Sequence, residues 1–287
     1  MSSPSGVVIV DKPSAVTSHQ VVGKLRRLLG TRKIGHAGTL DPMATGVLIL
    51  GVNRATRLLG HLALHDKRYL ATARLGLSSD SDDADGEVTP VADASGLTLE
   101  LVDAALEPQR GDILQVPSSV SAIKVNGKRA YALARAGERV ELKSRAVTVS
   151  RLDVLAVRPG DGWLDVDLDV ECSSGTYIRA IARDLGVALG VGGHLTALRR
   201  TRIGNYSLDD AVTLGDEPPA LMDMATAARL SFPVLAVTEQ EAVDIGYGRS
   251  IGRPVEASPT GMIAPDGSLL ALYEPSESGS KPLAVLT

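Results

Sequence analysis

Residues 35–48 read GHAGTLDPMATGVL and are followed by Ile49 and Leu50. Three glycines, a proline and small side chains predict an irregular, tightly packed loop, because glycine permits positive φ and close approach of another chain. Asp41 precedes Pro42, whose ring disfavours a helical conformation at Asp41. The apolar run 47–50 predicts a buried strand directly after the loop. The stretch therefore predicts a carboxylate on a stiff loop beside a strand, with His36 near it in sequence.

The composition predicts a soluble protein with a large core. The chain has 287 residues, of which 44% are hydrophobic, enough for one large domain and a small second one. No apolar run approaches the length that crosses a bilayer, and the start lacks the pattern of a secretory signal. Cys172 is the one cysteine in the sequence, which excludes an internal disulfide and fits a reducing compartment. We expect a cytoplasmic protein with no membrane partner.

Charge is unevenly distributed along the chain. The net charge of −4 argues against a nucleic-acid partner, but residues 231–287 hold three bases against seven acids and account for it. Residues 117–145 hold seven bases against two acids. Such a basic stretch between predicted strands is typical of a segment that contacts phosphates, although a solvated excursion is the simpler alternative.

Periodicity predicts a mixed α+β fold with a mainly antiparallel central sheet and flanking helices. Thr17 and Gln20 form a capping-box pattern before a helix that ends at Gly30. Asn53 is predicted to cap a further helix. Residues 164–172 alternate without a break between apolar and acidic side chains, as in a strand with one solvated face. After them, residues 178–185 are predicted to be helical, with Gly186 as the end of the helix.

Two further side chains stand at the ends of predicted elements. Tyr69 opens an alternating strand, where a tyrosine usually packs half-buried with its hydroxyl in water. Arg179 lies in the first turn of its predicted helix, where a cation opposes the helix dipole. A carboxylate partner would explain Arg179, whereas an ordinary surface arginine is the alternative.

Metal and cofactor motifs are not found in the sequence. His61 and His65 have the spacing of a zinc pair but lack the glutamate and a third ligand. The acidic loop 81–86 partly imitates a calcium-binding loop, but Ala92 stands where the bidentate glutamate is required. Neither a phosphate-binding loop nor a dinucleotide fingerprint is present. We expect a reaction that needs no metal and no cofactor.

The residues described so far resemble, in order, the motifs of the bacterial TruB-type tRNA pseudouridine synthases. The resemblance rests on four segments: Asp11-Lys12-Pro13 with Thr17-Ser18-His19, the loop 35–48, Lys67-Arg68-Tyr69 with the strand after it, and Ser174-Gly175-Thr176-Tyr177-Ile178-Arg179. It implies the pseudouridine synthase fold and a catalytic role for Asp41. It also implies that His36, Tyr69, Arg179 and Leu198 bind the substrate, with Tyr69 stacked on the base and Arg179 paired with Asp41.

The resemblance also implies how RNA is held and how the chain is divided. Residues 117–145 are similar to the thumb insertion that closes over the tRNA T-arm stem-loop. The predicted contacts to the RNA backbone are Lys124, Lys128, Arg129, Arg199, Arg200 and Arg202. Residues 1–230 are predicted to form the catalytic domain and residues 231–287 a small, mainly β, PUA-like domain. We expect a monomer with no obligate protein partner.

The reaction that follows is the isomerisation of uridine 55 in the T-arm to pseudouridine. The base must be flipped out, and its C–N glycosidic bond is exchanged for a C–C bond without a cofactor. Whether Asp41 attacks C1′, attacks C6 or removes a sugar proton is left open. A non-catalytic RNA-binding or RNA-folding module is the main alternative, and a nucleoside hydrolase that releases free base is another.

Overall fold

The computed structural model describes residues 4–118, 124–125, 128–129 and 142–287. In chain order their strands and helices are β1 (Gly6–Lys12), α1 (Ser18–Leu29), β2 (Ile34–Ala37), β3 (Thr45–Val52), α2 (Leu59–Leu62), β4 (Lys67–Leu75), β5 (Leu77–Ser79), β6 (Val88–Pro90), α3 (Leu99–Leu106), β7 (Gly111–Gln115), β8 (Lys124–Val125), β9 (Lys128–Arg129), β10 (Arg145–Pro159), β11 (Leu164–Cys172), α4 (Ile178–Ala188), β12 (Gly193–Ile203), β13 (Tyr206–Ser207), α5 (Met224–Ser231), β14 (Val234–Ala236), α6 (Glu239–Gly246), β15 (Thr260–Ile263), β16 (Leu269–Ser276) and β17 (Gly279–Val285).

The chain forms two compact units. The first comprises Met1–Asp41, Gly46–His65 and Gly204–Thr287, and the second comprises Pro42–Thr45 and Asp66–Ile203. In the first unit β3 pairs antiparallel with both β1 and β2. Helix α1 buries Val21, Val22 and Leu25 against apolar side chains of these strands. The Thr17–Gln20 capping box and a left-handed Gly30 bound α1, as the sequence predicts.

The C-terminal part of the first unit is a separate small sheet. Strand β14 runs parallel to β15, and β15, β16 and β17 are antiparallel to one another. Thr238 and Glu241 form a capping box at the start of α6. Buried Tyr273 and Met262 belong to the core beneath this sheet. The mainly β character predicted for residues 231–287 is confirmed.

The second unit is built on an antiparallel sheet with strand order β12-β4-β11-β10-β7. Apolar residues of β11 from Leu164 to Cys172 are buried on one face, and its acidic residues lie on the other. Helix α4 packs against β4 and β12. This packing is close, because a Cβ at Gly193 would collide with the carbonyl oxygen of Ala182 in α4.

Two local predictions are wrong. Asn53 does not cap a helix: its side chain bonds to Thr31 and to the carbonyl of Pro4, and a 3₁₀ turn follows. Gly186 does not end α4, which continues to Ala188. Residue 186 is a glycine inside the helix because the backbone of residues 192–193 packs where a side chain would lie. Helix α5 begins after the cap Asp223.

The predicted fold class, mixed with mainly antiparallel sheets and flanking helices, is confirmed. Most of the basic stretch 117–145 lies outside the described residues. Within it, β8 and β9 pair antiparallel, with Lys124 opposite Arg129 and Val125 opposite Lys128. The two compact units do not follow the predicted boundary at residue 230, since each unit contains part of residues 1–230.

Candidate active site

Asp41 lies in the first unit, in the loop that joins β2 to β3. Ser18 is the first residue of α1 and is 2% exposed. Its side chain makes two hydrogen bonds to Leu40, the residue before Asp41. Its Oγ donates to the carbonyl of Leu40 at 3.1 Å and accepts from the Leu40 amide at 2.9 Å. Gly38 takes a φ of 76°, a conformation that favours glycine. The backbone next to Asp41 is therefore fixed to the start of a helix, and the Asp41 side chain is half-buried.

His36 lies on β2 of the same unit, opposite Leu50 of β3, and is also half-buried. His36 therefore lies beside the C-terminal part of β3, whereas the loop that carries Asp41 leads into β3 at its first residue, Thr45. Sequence reasoning missed Ser18 as the residue that holds this loop. The signal was present, since Ser18 directly follows the helix cap Thr17 in the first of the family-like motifs.

Tyr69 and Leu198 lie in the second unit, on neighbouring strands and on one face of the sheet. Tyr69 of β4 stands opposite Arg200 of β12, and Leu198 stands opposite Ala71. Cross-strand partners share a face, so the two side chains are diagonal neighbours. Each is 7% exposed. The structure thus brings together the residues predicted to stack on a base and to wall the pocket.

Arg200 and Lys67 are buried cations on the Tyr69 face. Arg200 is 1% exposed, and this burial does not fit its predicted contact with phosphate. Burial, with the charge of Arg200 as a further cause, lowers the pKa of Lys67 to about 8. The neighbouring arginines differ from Arg200, because Arg199 and Arg202 are half-buried. Arg199 donates to Thr45 Oγ1 at 3.3 Å, and Arg202 pairs with Glu171 at 2.6 Å.

Arg179 is the second residue of α4 and its side chain is 5% exposed. Its Nη1 lies 3.1 Å from Asp83 Oδ2 and donates to the carbonyl of Ser81 at 2.8 Å. A buried guanidinium is stable only when it is paired and hydrogen-bonded, and Asp83 supplies that partner. Arg179 thus has a buried carboxylate partner in Asp83, a residue that sequence reasoning missed.

Asp83 is itself held in a defined orientation. Its Oδ1 accepts from Ser81 Oγ at 2.6 Å and from the Asp85 amide at 3.0 Å. The Leu195 amide of β12 donates to the carbonyl of Asp82 at 3.0 Å, which fixes the acidic loop to the sheet. The loop that resembles a calcium site in sequence therefore binds an arginine instead. Among the described residues no group of three or more His, Cys, Asp or Glu could hold a metal ion.

The two histidines with zinc-like spacing contact an aromatic ring. His65 stacks on Phe232 with ring centroids 5.6 Å apart, and His61 meets the same ring edge-on at 6.4 Å. Across the part of the chain that the structure describes, none of the helices is long and apolar enough to cross a membrane.

Comparison with known proteins defines the class. A family model described as "TruB family pseudouridylate synthase (N terminal domain)" matches residues 26–178. Models described as "tRNA pseudouridylate synthase B C-terminal domain" and "tRNA Pseudouridine synthase II, C terminal" match residues 179–227 and 232–287. The chain belongs to the TruB family of pseudouridylate synthases.

Three similar proteins share the name "tRNA pseudouridine synthase B". "tRNA pseudouridine synthase B" of Cutibacterium acnes is 58% identical over 95% of this chain and 94% of its own length. The proteins of that name from Mycobacterium sp. (strain KMS) and Arthrobacter sp. (strain FB24) are 54% and 55% identical, each over 98% of this chain and 96% of theirs.

Solved structures show the fold. A Cbf5-Nop10-Gar1 complex contains a chain that superposes with a TM-score of 0.74 at 24% identity, over 98% of this chain and 85% of that one. The archaeal box H/ACA sRNP Nop10-Cbf5 complex gives 0.72 at 24% identity, over 98% and 86%. The predicted pseudouridine synthase fold is confirmed. His36 and Asp41 belong to the first unit and Tyr69, Arg179 and Leu198 to the second; the pairing of Asp41 with Arg179 stays a prediction.

Proposed function

We propose that this chain isomerises uridine 55 in the T-arm of tRNA to pseudouridine, with Asp41 as the catalytic residue. The observation that carries the proposal is the buried, oriented Arg179–Asp83 pair in a chain of the TruB family. A guanidinium that is already held by Asp83 and Ser81 loses little freedom when it binds a further carboxylate. The fixed loop around Leu40 supports Asp41 as that carboxylate.

Arg179 keeps Asp41 ionised and oriented in this proposal. A nearby cation favours the charged form of a carboxyl group, and the planar fork of arginine matches the two carboxylate oxygens. Ionised Asp41 then acts at the junction of sugar and base. Attack at C1′, attack at C6 and removal of a sugar proton remain three forms of this step.

Tyr69, Leu198 and His36 bind the flipped base. A uridine inside a folded T-arm is reached only after it leaves its stack. Tyr69 offers a ring face for the uracil, and Leu198 lies beside it on the same sheet face. His36 is proposed to stack where the base has left, or against the base itself.

RNA backbone contacts are proposed for the basic insertion and for β12. In the insertion these are Lys124, Lys128 and Arg129, and on β12 they are Arg199 and Arg202. We also propose that the chain acts as a cytoplasmic monomer without an obligate protein partner, with residues 1–230 as catalytic domain and 231–287 as PUA-like domain. A family-model boundary between residues 227 and 232 supports that division.

The test is the release of hydrogen from C5 of the target uridine. Joining C5 to the sugar expels this hydrogen, so tRNA labelled there with tritium is expected to release the label to water. Release is expected without added metal or nucleotide, in the presence of a chelator, and also from an isolated T-arm stem-loop. A transcript with uridine 55 replaced by cytidine is the matched control.

Each alternative gives a different product. A hydrolase would release free uracil and leave an abasic site, whereas a pure RNA-binding module would release neither uracil nor tritium. Tritium that stays on a substrate shown to be bound would defeat the isomerase proposal.

A further inference from the structure

Arg183 joins two segments of the second unit that lie far apart in sequence. Its Nη1 lies 3.3 Å from Asp82 Oδ2, in the acidic loop. Its Nη2 donates to the carbonyl of Val116 at 2.8 Å, and Nη1 lies 3.5 Å from the carbonyl of Pro117. Its Nε bonds to the neighbouring Asp184 at 2.8 Å. One half-buried guanidinium therefore connects the acidic loop to the segment that leads into the basic insertion.

Arg183 stands one helical turn after Arg179 on α4, so both side chains leave the same face of the helix. Their partners are adjacent in sequence, because Arg179 pairs with Asp83 and Arg183 with Asp82. Asp82 has a φ of 61°, in the left-handed region. Aspartate adopts this conformation more readily than most residues, and it turns the chain between the two carboxylates.

Tyr177, at the N-terminal end of α4, contacts the chain both before and after the basic insertion. Gln115, 2% exposed, accepts from the Tyr177 amide at 2.8 Å and donates to the Tyr177 carbonyl at 3.1 Å. On the far side of the insertion, the guanidinium of Arg145 lies 5.5 Å from the centre of the Tyr177 ring. Tyr177 directly precedes α4 and is two residues from Arg179. The segments that flank the insertion thus contact Tyr177, just before α4, and Arg183, within α4. These two residues lie on either side of Arg179 in sequence.

The buried carboxylate of Asp82 would be destabilised without the charge of Arg183. Asp82 is 8% exposed, and burial raises the pKa of its carboxyl, while a hydrogen bond with Ser118 and the charges of Arg183 and Arg179 act in the opposite direction. A buried carboxylate that loses its cation either takes a proton or moves toward water. Either change alters the turn that presents Asp83 to Arg179.

We propose that Arg183 is a positioning residue for the isomerisation: through Asp82 it fixes the turn that holds Asp83 against Arg179, and it links that turn to the base of the RNA-binding insertion. Arg183 does not touch the uridine. Its loss lets the Asp82–Asp83 turn shift, and a shift of about 1 Å in a catalytic group is enough to slow chemistry markedly. The inference rests on the proposed function, because Arg179 must act in the reaction for its position to matter.

The experiment measures single-turnover tritium release at saturating tRNA, together with tRNA affinity and melting temperature. Arg183→Ala and Asp82→Asn are each expected to lower the single-turnover rate constant about tenfold, with Kd for the T-arm stem-loop changed less than about twofold. Asparagine tolerates the left-handed conformation at residue 82, so Asp82→Asn tests the pair without backbone strain. Arg183→Lys keeps the charge and is expected to recover part of the rate.

Arg110 provides the matched control. Its side chain is 26% exposed, against 25% for Arg183, and it likewise joins carboxylates to a distant backbone carbonyl, that of Leu152. Arg110→Ala is expected to lower the melting temperature as Arg183→Ala does, but to leave the rate constant unchanged. Adding Arg183→Ala to Asp83→Asn is expected to cost little further rate, because both variants disturb the same contact.

Three results would overturn the inference. They are an unchanged rate constant in Arg183→Ala and Asp82→Asn, an equal loss of rate in Arg110→Ala, and full additivity with Asp83→Asn. If the parent protein released no tritium, the proposed function and this inference would both fall. Release by the parent with normal rates in the variants would remove only the inference.

Discussion

Two sets of arginine–carboxylate pairs in the second unit differ in how far water reaches the arginine. On the acidic face of β11, Asp169 pairs with Arg68, Asp165 with Arg74 and Asp167 with Arg158. The arginine side chains of this ladder are 40%, 32% and 53% exposed, so water reaches one partner of each pair, although the carboxylates are 5%, 16% and 26% exposed. The Arg179 and Asp83 side chains are 5% and 4% exposed.

This difference indicates what each set contributes. Exposed pairs contribute about 0–1 kcal/mol each, because water and salt screen them. A buried pair must first repay the cost of desolvating both ions, so it is weak evidence for stability. We infer that the ladder stabilises the sheet modestly and that Arg179–Asp83 holds a guanidinium in place for chemistry. The following predictions test this division.

The largest effect is expected at Asp41. Asp41→Asn keeps the shape of the side chain but can neither attack carbon nor accept a proton. We expect tritium release to fall by at least about a thousandfold while RNA binding persists. The measurement is single-turnover release with a parallel filter-binding assay. Activity within about tenfold of the parent would remove Asp41 from the catalytic role.

Arg179→Lys keeps the charge and removes the planar fork. If the buried pair serves orientation, the lysine variant should lose about a hundredfold in rate, because a point charge cannot hold Asp83 and Asp41 in fixed geometry. The rate constant is measured with tRNA in excess. Normal activity of this variant would show that charge alone suffices and that the buried pair does not orient a catalytic group.

The basic insertion is expected to act on binding and its salt dependence. Replacement of Lys124, Lys128 and Arg129 by alanine should weaken tRNA binding and reduce the slope of log K against log salt by about one unit at most for each lost phosphate contact. Titrations at several salt concentrations measure the slope. An unchanged slope would show that these residues do not contact phosphate.

The smallest effect is expected in the ladder. Hydrogen bonding from Arg68 lowers the pKa of Asp169 despite burial, so this carboxylate stabilises the fold at neutral pH. Because the folded-state pKa lies below the unfolded one, the contribution is lost as pH falls through the folded-state pKa, below about pH 4. Asp169→Asn should cost about 1 kcal/mol at pH 7 and almost nothing in strong acid, with the rate constant unchanged. Thermal melts across pH test this, and a slowed reaction in Asp169→Asn would break the division between the two sets.

Local sequence signals predicted much of the fold. The Thr17 capping box begins α1 as expected, because the cap side chain and its partner lie three residues apart. The alternation of residues 164–172 predicted β11, since a sheet with one buried face requires a period of two. These features depend on neighbours in the sequence alone.

The rest depends on contacts between distant residues. Ser18 meets Leu40 and Arg179 meets Asp83 across 22 and 96 positions, and no periodic pattern marks either pair. Gly186 looks like a helix end, but it lies inside α4, where the nearby backbone of Gly192 and Gly193 leaves no room for a side chain. Arg200 reads as one of a row of surface cations, yet the register of β12 turns it to the buried face beside Tyr69. Sequence identified the candidate residues, whereas tertiary packing decided which arginine is buried and which carboxylate it meets.

The close approach of α4 to β12 has a consequence for genetics. A side chain at Gly193 would strike the carbonyl of Ala182 and press against Gly186, so the helix that carries Arg179 would have to move. A genetic screen for variants that no longer form pseudouridine should therefore find substitutions at position 193 as well as at Asp41 and Arg179. Such variants would keep every proposed catalytic and substrate-binding side chain. Their defect would lie in the distance between α4 and β12.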